Sequence, residues 1–389
     1  MTYVIENSIR RVVPYYKLYQ THIKTRWEGR TLTDVFTKEF GQSESQVNKE
    51  IEENKLYVIS RCGFKDQSEY KGSDVYTRLI AKNDVICNLK HIHEPEVSDN
   101  GIEIVHESDD LLVVNKPPGI PTHPTSSYRY NSVLEILKND LGIDLWTTHR
   151  LDKVTTGILI FGKNKASAVD IMDKISRKDI TTKEYFARVK GEFPEGKIRY
   201  TCPVFLVNAN GGYLMPSTVP LNTTTKFERI KYNSDLDESI VKCFPISGKM
   251  HQIRIHLRNL GHPISDDFFY HDSLKNTIEM EIYKHVFLKY PSLDKYSKDD
   301  SNDDDTQIGD EEMISFSPLI SESIKQDLEN LKKQSSERIE SYKKGKMCED
   351  CGKELMEPDP KKSSIYLHAF HYKFPEFEFQ TSSPSWCDI

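Results

Sequence analysis

A polar loop that precedes a buried strand holds the first group of residues that could do chemistry. Residues Thr148–Gly157 read THRLDKVTTG, and the apolar run GILIF begins at their end. A loop anchored by a buried strand is a common way to present a catalytic carboxylate, here Asp152. Asp152 and Thr155 could equally satisfy backbone donors in a structural turn, and the spacing alone is compatible with both interpretations.

A second polar group lies at Ser247–Arg258, which reads SGKMHQIRIHLR. An extended segment would place Arg254 on one face with the other even-numbered residues, whereas a helix would group it with Met250 and Leu257. A charged run of this kind is usually a solvated surface. Arg with His and Gln beside a Gly also suits the recognition of a phosphate or a carboxylate. The polar members are Lys249, His251, Gln252, Arg254, His256 and Arg258.

A third candidate is the pair Cys348 and Cys351, which has the spacing of metal ligands. A zinc site needs two more ligands, and no second CxxC or HxxxH motif lies nearby. His368, His371 and Cys387 could complete the site, but we assign no metal on the sequence alone. Phosphate-loop, dinucleotide-binding, serine-hydrolase and deaminase motifs are absent, so those functions lack support.

The elements that must position these residues are short strands and helices. Continuous or alternating apolar patterns predict strands at Leu111–Asn115, Gly157–Phe161, Tyr185–Val189 and Ile240–Phe244. Helices are predicted at Asn131–Leu141 and Ala166–Ser176. Because strands outnumber helices and come in short pieces, we expect an α+β domain on a mixed, largely antiparallel sheet.

The charge of the 389-residue chain is unevenly distributed. The formal net charge is −7, from 53 Lys and Arg against 60 Asp and Glu. Asp299–Glu312 holds eight acidic residues and no basic one, and we expect it to be disordered and solvated. Leu151–Arg258 holds 18 Lys and Arg against 11 Asp and Glu. The net charge therefore does not argue against a nucleic-acid partner, because phosphate recognition depends on local charge.

Composition also bounds the cellular setting. No apolar run approaches the roughly 18 residues of a membrane helix, which excludes an integral membrane protein. The N-terminus, MTYVIENSIRRVV, lacks the apolar core of a signal peptide. The seven cysteines are odd in number and mostly scattered, which indicates a reducing compartment. We expect a cytoplasmic monomer, with the nucleus and the mitochondrion as other compatible locations.

Six motifs, in order along the chain, resemble those of the RluA-type pseudouridine synthases. HRLDKVTTG at 149–157 is similar to the HRLDxxTSG loop of that family, and GKMHQIRIHL at 248–257 is similar to GRTHQIRVHL. The other four are LVVNKPPG at 112–119, KEY at 183–185, GHPI with Asp266 at 261–266, and LHA at 367–369. The flanking segments are similar to the eukaryotic RNA pseudouridylate synthase branch that includes the fungal tRNA uridine-32 synthases.

The resemblance implies an enzyme that isomerises uridine to pseudouridine in RNA without a cofactor. The implied substrate is position 32 of the tRNA anticodon loop, with mRNA as a second RNA class. Asp152 would be the catalytic carboxylate, Arg254 its partner, and Tyr185 the ring that stacks on the uracil. Asp152 would attack the sugar C1′, attack the base, or remove a proton from C2′. The implied substrate-binding residues are His149, Arg150, Thr155, Lys249, His251 and Gln252, of which Arg150 would fill the space left by the flipped nucleotide.

The resemblance also implies a domain organisation. An N-terminal arm at 1–30 would precede a small RNA-binding-like α/β module at 31–96. A pseudouridine synthase catalytic domain at 97–272 would be completed by 365–389. The composition of the remaining residues, 273–364, independently predicts an acidic and polar insertion that is largely disordered.

This sequence departs from the family pattern in its second motif, where Lys249 and Met250 replace the usual Arg and Thr. The change removes a bidentate guanidinium and a hydroxyl.

Two alternatives from other function classes accompany the enzyme hypothesis. One is a catalytically inactive RNA-binding protein, and the other is a zinc-dependent interaction module around Cys348 and Cys351. A product assay and a metal analysis would distinguish them.

Overall fold

The computed structural model divides the chain into two compact units. The first consists of residues 12–94 and 349–352, and the second of residues 3–11, 95–348 and 353–389. None of the described helices is long and apolar enough to cross a membrane. The acidic tract at 299–312 lies outside the described residues. The structure describes residues 3–62, 66–125, 127–177, 179–207, 218–220, 223–271, 273–298, 313–315, 322–341, 343–352, 354–356 and 363–389.

The described residues form short strands and helices in both units. The helices are α1 (Leu32–Phe40), α2 (Glu44–Glu52), α3 (Ser73–Tyr76), α4 (Val133–Leu141), α5 (Lys165–Ser176), α6 (Gln252–Asn259), α7 (Leu274–Lys289) and α8 (Glu322–Ser341). The strands are β1 (Tyr3–Glu6), β2 (Ile9–Val12), β3 (Tyr15–His22), β4 (Leu56–Cys62), β5 (Asp66–Tyr70), β6 (Asp84–Ile92), β7 (Val97–Ser98), β8 (Glu103–Glu107), β9 (Leu111–Lys116), β10 (Trp146–Thr147), β11 (Thr156–Gly162), β12 (Thr182–Lys190), β13 (Lys197–Thr201), β14 (Thr218–Pro220), β15 (Thr224–Asn233), β16 (Glu238–Pro245), β17 (Lys295–Lys298), β18 (Met313–Ser315), β19 (Lys343–Met347), β20 (Glu354–Met356), β21 (Leu367–Lys373) and β22 (Glu378–Gln380).

The first unit packs helices against a four-stranded antiparallel sheet in the order β3-β6-β4-β5. Leu32, Val35 and Phe36 of α1 are buried, as their spacing predicts. Thr31 caps this helix by accepting a hydrogen bond from the Asp34 amide. The unit begins earlier than the predicted module at 31–96, because β3 pairs with β6 along its whole length.

The second unit is built on a large mixed sheet in the order β17-β13-β15-β16-β12-β21-β11-β9-β8. Outside this order, β10 pairs with β11 and β22 pairs with β21, both antiparallel. Only the β11–β21 pair is parallel among the described strand pairs of this sheet. The prediction of an α+β domain on a mixed, mostly antiparallel sheet is confirmed. The four predicted strands correspond to β9, β11, β12 and β16.

The second polar group, Ser247–Arg258, is compatible with a strand or a helix by its sequence. In the structure it forms the helix α6 from Gln252 onward. Its residues from Gln252 to Arg258 are all buried, including the polar ones. His256 Nδ1 lies 2.9 Å from the Thr225 hydroxyl, and Arg258 donates to Glu279 at 2.8 Å. From Gln252 onward the second polar group is therefore internal, whereas Lys249 and Met250, which precede the helix, are exposed.

Helix α7 lies within the segment predicted to be a largely disordered insertion, 273–364. Its residues Ile278, Ile282, Tyr283 and Val286 are buried in the core of the second unit. Glu279, which is 0 % exposed, forms the buried ion pair with Arg258. The structure differs from the prediction here because charged residues between the apolar ones of α7 have buried partners, which sequence composition does not reveal.

Gly157 lets strands β11 and β21 approach closely, so a larger residue at this position should destabilise the protein. Its φ is +109°, and a Cβ atom at this position would lie 2.2 Å from the backbone oxygen of Ala369. Gly157→Ala should therefore lower the free energy of unfolding by at least about 2 kcal/mol in urea denaturation. Gly248→Ala is the matched control, because Gly248 has no atom within 4 Å of its Cβ position and no left-handed φ. Equal stability of the two variants would contradict the argument.

Candidate active site

A cavity of about 270 Å³ in the second unit brings the two polar motifs together. The loop between β10 and β11 forms one wall, strand β12 contributes a second, and the start of α6 contributes a third. All nine residues predicted for the site line this cavity: His149, Arg150, Asp152, Thr155, Tyr185, Lys249, His251, Gln252 and Arg254.

A buried Arg links two carboxylates at the base of the cavity. Arg254 Nη1 donates to Asp152 Oδ2 at 3.0 Å. The same guanidinium binds Asp267 through two hydrogen bonds, of 2.6 Å from Nε and 2.9 Å from Nη2. The side chains of Arg254 and Asp267 are 2 % and 1 % exposed, and that of Asp152 is 18 % exposed. Asp267 therefore fixes the guanidinium, and the guanidinium orients the carboxylate that faces the cavity.

The local charges keep Asp152 ionised. Burial raises the pKa of the Asp152 carboxyl, but the charge of Arg254 and its hydrogen bond to this carboxylate act against burial, and the pKa lies below its ordinary value. Burial also lowers the pKa of His251 to about 3. The His251 ring is therefore neutral at neutral pH, and Arg254 is the cation that acts there.

His251 stands next to Asp152 in an unusual backbone conformation. It precedes α6 with a φ of 57°, in the left-handed region that non-glycine residues seldom adopt. Its Nδ1 lies 2.7 Å from the Tyr270 hydroxyl, and its Nε2 lies 3.5 Å from Asp152 Oδ2. Strain of this kind clusters at functional sites, where surrounding contacts hold it in place.

Tyr185 presents a ring from β12 to the same cavity. Its hydroxyl lies 2.6 Å from the hydroxyl of Tyr372 on β21. Burial raises the pKa of Tyr185 to about 12, so the phenol is protonated at neutral pH. Tyr372 was not among the predicted residues, although it follows the LHA motif by three positions.

Gln252 and His149 are held by the protein itself. The Gln252 oxygen accepts from the Ser247 hydroxyl and the Lys249 amide. Its NH₂ group donates to the Thr224 carbonyl and the Thr225 hydroxyl, so all its hydrogen-bonding positions are used. His149 Nε2 accepts from the Ile160 amide at 3.1 Å, and burial lowers the pKa of His149 to about 3. Both residues shape the cavity wall through these bonds.

The loop itself positions the remaining predicted residues. The Thr155 amide donates to the Asp152 carbonyl, which closes a turn. The Asp152 carboxylate does not cap this turn, because it points to Arg254. Arg150 and Lys249 are exposed at the cavity, and Arg150 also borders a neighbouring cavity of about 320 Å³.

Lys116 supports the loop that carries Asp152, and sequence reasoning assigned it no role. It ends β9 and is 0 % exposed. Its ammonium donates to the carbonyls of Pro117, Lys153 and Thr155, at 2.7, 3.0 and 2.9 Å. Two of these carbonyls belong to the loop that carries Asp152. The signal available in the sequence was an apolar strand that ends in Lys before two prolines.

The burial of Lys116 should make the free energy of unfolding depend on pH. Burial lowers the pKa of Lys116 to about 7, whereas an unfolded lysine titrates near about 10.4. Between these values the unfolded chain binds more protons, so this residue makes the free energy of unfolding rise with pH, by at most about 1.4 kcal/mol per unit. Lys116→Met should remove that slope in urea denaturation between pH 7 and 10. The exposed control Lys165→Met should retain it, and parallel profiles for wild type and Lys116→Met would contradict the assignment.

The candidate metal ligands of the C-terminal region lie in other interactions. His368 Nδ1 is 2.7 Å from the Thr156 hydroxyl, and its Nε2 is 2.7 Å from the Thr381 hydroxyl. His371 lies between Glu184 and Glu378. Within the described residues, neither histidine nor Cys387 belongs to a group of side chains that could hold a metal ion with Cys348 and Cys351. The described residues therefore give no support to the possibility that these three complete a zinc site with Cys348 and Cys351.

Comparisons with known proteins identify the family of this chain. Residues 110–259 match the RNA pseudouridylate synthase family. The tRNA pseudouridine(32) synthase, mitochondrial, of Saccharomyces cerevisiae is 31% identical, over 99% of this chain and 76% of that protein. Pseudouridylate synthase RPUSD2 of Mus musculus is 30% identical over 99% of this chain and 72% of that protein. The tRNA pseudouridine(31) synthase of Saccharomyces cerevisiae is 29% identical over 99% and 96%. Because similarity at this level extends over nearly the whole chain, the protein belongs to the RluA-type RNA pseudouridylate synthase family and is an RNA pseudouridine synthase.

Proposed function

We propose that Asp152 is the catalytic carboxylate for isomerisation of a uridine in the anticodon loop of tRNA, at position 32. The observation that carries the role of Asp152 is the chain of contacts from Asp267 through Arg254 to Asp152 Oδ2. In the described part of the chain, no hydrogen bond or ion pair holds the second oxygen, Asp152 Oδ1. An ionised carboxylate with one oriented oxygen and one oxygen open to a cavity is suited to attack or to proton removal.

The overall reaction needs no oxidant or reductant. The N1–C1′ bond of uridine breaks, the uracil turns, and a C5–C1′ bond forms. C5 loses one proton and N1 gains one, so the reaction is an isomerisation. Asp152 would act at C1′, at the base or at C2′, and each route begins from the ionised carboxylate. The lowered pKa of Asp152 supports this protonation state.

The other cavity residues supply positioning in this proposal. The Tyr185 ring would stack on the uracil as a neutral phenol, since burial raises its pKa to about 12. Arg150, which borders both cavities, would occupy the space left by the flipped nucleotide. Lys249 would contact a phosphate as a point charge in place of the usual Arg. Flipping a loop uridine costs less than flipping a paired one, by roughly a few kcal/mol, which favours an anticodon-loop target.

The names of relatives support the tRNA substrate. The two yeast relatives are named for positions 32 and 31 of tRNA. The mitochondrial location in one of these names is a property of that protein, and the cytoplasmic location and monomeric state of the present chain stay predictions from the sequence.

Pseudouridine mapping tests the proposed substrate. In cells that lack the protein, pseudouridine should disappear from position 32 of the tRNAs that normally carry it and return with the wild-type chain. Purified protein should convert an anticodon stem-loop with uridine at position 32 much faster than the same stem-loop with its only uridine in the paired stem. If pseudouridine in tRNA is unchanged in these cells and pseudouridine in mRNA is lost, the substrate is mRNA and the tRNA assignment is wrong.

A further inference from the structure

Four metal-ligating side chains lie together outside the active-site cavity: His91, His93, Cys348 and Cys351. One ligand atom from each lies within 4.8 Å of the others. In the part of the chain that the structure describes, this is the only such group of three or more His, Cys, Asp or Glu residues. None of the four lines the cavity that holds Asp152.

The two histidines come from the end of β6. His91 lies in this strand, and His93 follows its last residue. Side chains two residues apart in an extended chain point to the same face. The ring centroids of the two histidines are 4.8 Å apart, and His93 Nε2 lies 3.3 Å from Cys351 Sγ. Two such ligands on one tetrahedral zinc ion would lie about 3.5 Å apart, given Zn–N near 2.0 Å and Zn–S near 2.3 Å.

The two cysteines come from the turn between β19 and β20, which pair as an antiparallel hairpin. The segment 349–352 belongs to the same unit as β6, and Cys348 is joined directly to its start. Gly352 has a φ of 64°, which lets the chain reverse immediately after Cys351. Cys348 and Cys351 are thiols and do not form a disulfide.

The chemistry of the group selects the metal. Two thiolates and two imidazoles form a closed tetrahedral set of the kind found in structural zinc sites. Thiolates disfavour Mg²⁺ and Ca²⁺, which take oxygen ligands. Asp350 Oδ2, 3.7 Å from His91 Nε2, adds negative charge beside the histidines. Four protein ligands leave no open position for a substrate, so the metal would be structural.

We propose that His91, His93, Cys348 and Cys351 bind one Zn²⁺ ion, which fixes the 349–352 segment to the end of β6. The cysteine pair is visible in the sequence as a CxxC motif. Its partners are not, because His93 lies 258 residues before Cys351. Since metal binding to such a site is coupled to folding, the ion stabilises the first unit and takes no part in the isomerisation.

Metal content of the full-length protein tests the proposal. Protein purified without chelator from zinc-supplemented culture should contain about one Zn²⁺ per chain by elemental analysis. Cys351→Ser and His93→Ala should each lose most of this zinc. The matched controls Cys387→Ser and His22→Ala should retain it, because Cys387 lies in another part of the chain and His22 is an exposed residue of the same unit.

Two further measurements keep the test decisive if a ligand variant folds poorly. The wild-type protein loaded with Co²⁺ should show the intense visible bands of a tetrahedral site and a thiolate-to-cobalt charge-transfer band. EDTA should lower the thermal unfolding midpoint of wild type but not that of Cys351→Ser. Wild-type protein without stoichiometric zinc and without the cobalt bands, or with a Cys348–Cys351 disulfide by mass spectrometry, would overturn the proposal. These readouts do not depend on pseudouridine formation, so they fail or succeed separately from the proposed function.

Discussion

Asp152→Asn should abolish measurable pseudouridine formation, lowering kcat by at least about 10³-fold, the scale expected when a nucleophile or general base is lost. The substitution keeps the shape of the side chain and its hydrogen bond from Arg254 at the acceptor oxygen. It removes the negative charge that every considered route requires. Binding of an anticodon stem-loop, measured by filter binding or fluorescence anisotropy, should change by less than about tenfold, because phosphate contacts supply most RNA affinity.

A matched control separates this effect from a general loss of charge. Asp144→Asn removes a carboxylate from the same part of the chain, where it forms an exposed ion pair with Lys138. We expect nearly wild-type turnover from that variant, since exposed ion pairs contribute little. Residual turnover by Asp152→Asn within tenfold of wild type would remove Asp152 from the catalytic role.

Arg254→Ala should be nearly as damaging, and for two separable reasons. It leaves Asp267 and Asp152 without their shared cation, and orphaning a buried charge typically costs about 3–5 kcal/mol of stability. It also removes the group that orients Asp152 and lowers its pKa, so kcat should fall by about 10²-fold or more. The pKa of Asp152 should rise, and the acidic limb of the pH–rate profile should move to higher pH.

A second substitution distinguishes the two effects of Arg254→Ala. Adding Asp267→Asn neutralises the orphaned carboxylate, so urea denaturation of the double variant should show part of the lost stability restored. Turnover should stay low, because Asp152 still lacks its orienting guanidinium. Arg254→Lys, which keeps the charge but not the fork geometry, should fall between wild type and Arg254→Ala. A near-normal kcat for Arg254→Ala would refute the positioning role.

The core of the site could be predicted from the sequence because its residues sit in compact motifs. Asp152, Tyr185 and Arg254 each belong to a short run with a recognisable pattern. Asp267 escaped prediction because the motif pointed to its neighbour Asp266, whose carboxylate accepts from the Tyr366 amide instead. Lys116 escaped because its partners are backbone carbonyls, which leave no trace in side-chain patterns.

In the fold, too, the elements that follow from local sequence patterns were predictable, and those that depend on distant contacts were not. Helix α4 and strands β9 and β11 were predictable, since their apolar pattern is contained within each segment. The conformation of α6 and the existence of α7 depend on each other through the buried pair Arg258 and Glu279. Neither segment has a clean apolar stripe, so the pattern of one segment alone could not decide its structure.

The position of β21 in the middle of the large sheet has a consequence for synthesis of the protein. This strand lies between β12 and β11, and Thr156 contacts His368 across 212 positions of sequence. A nascent chain that has emerged only as far as β20 would expose the edges of both β11 and β12, which are templates for pairing with other chains. Contacts this distant in sequence also slow folding. The enzyme should therefore acquire its active site only after its last strand leaves the ribosome, and a premature stop before residue 367 should yield an aggregating product rather than a partly active one.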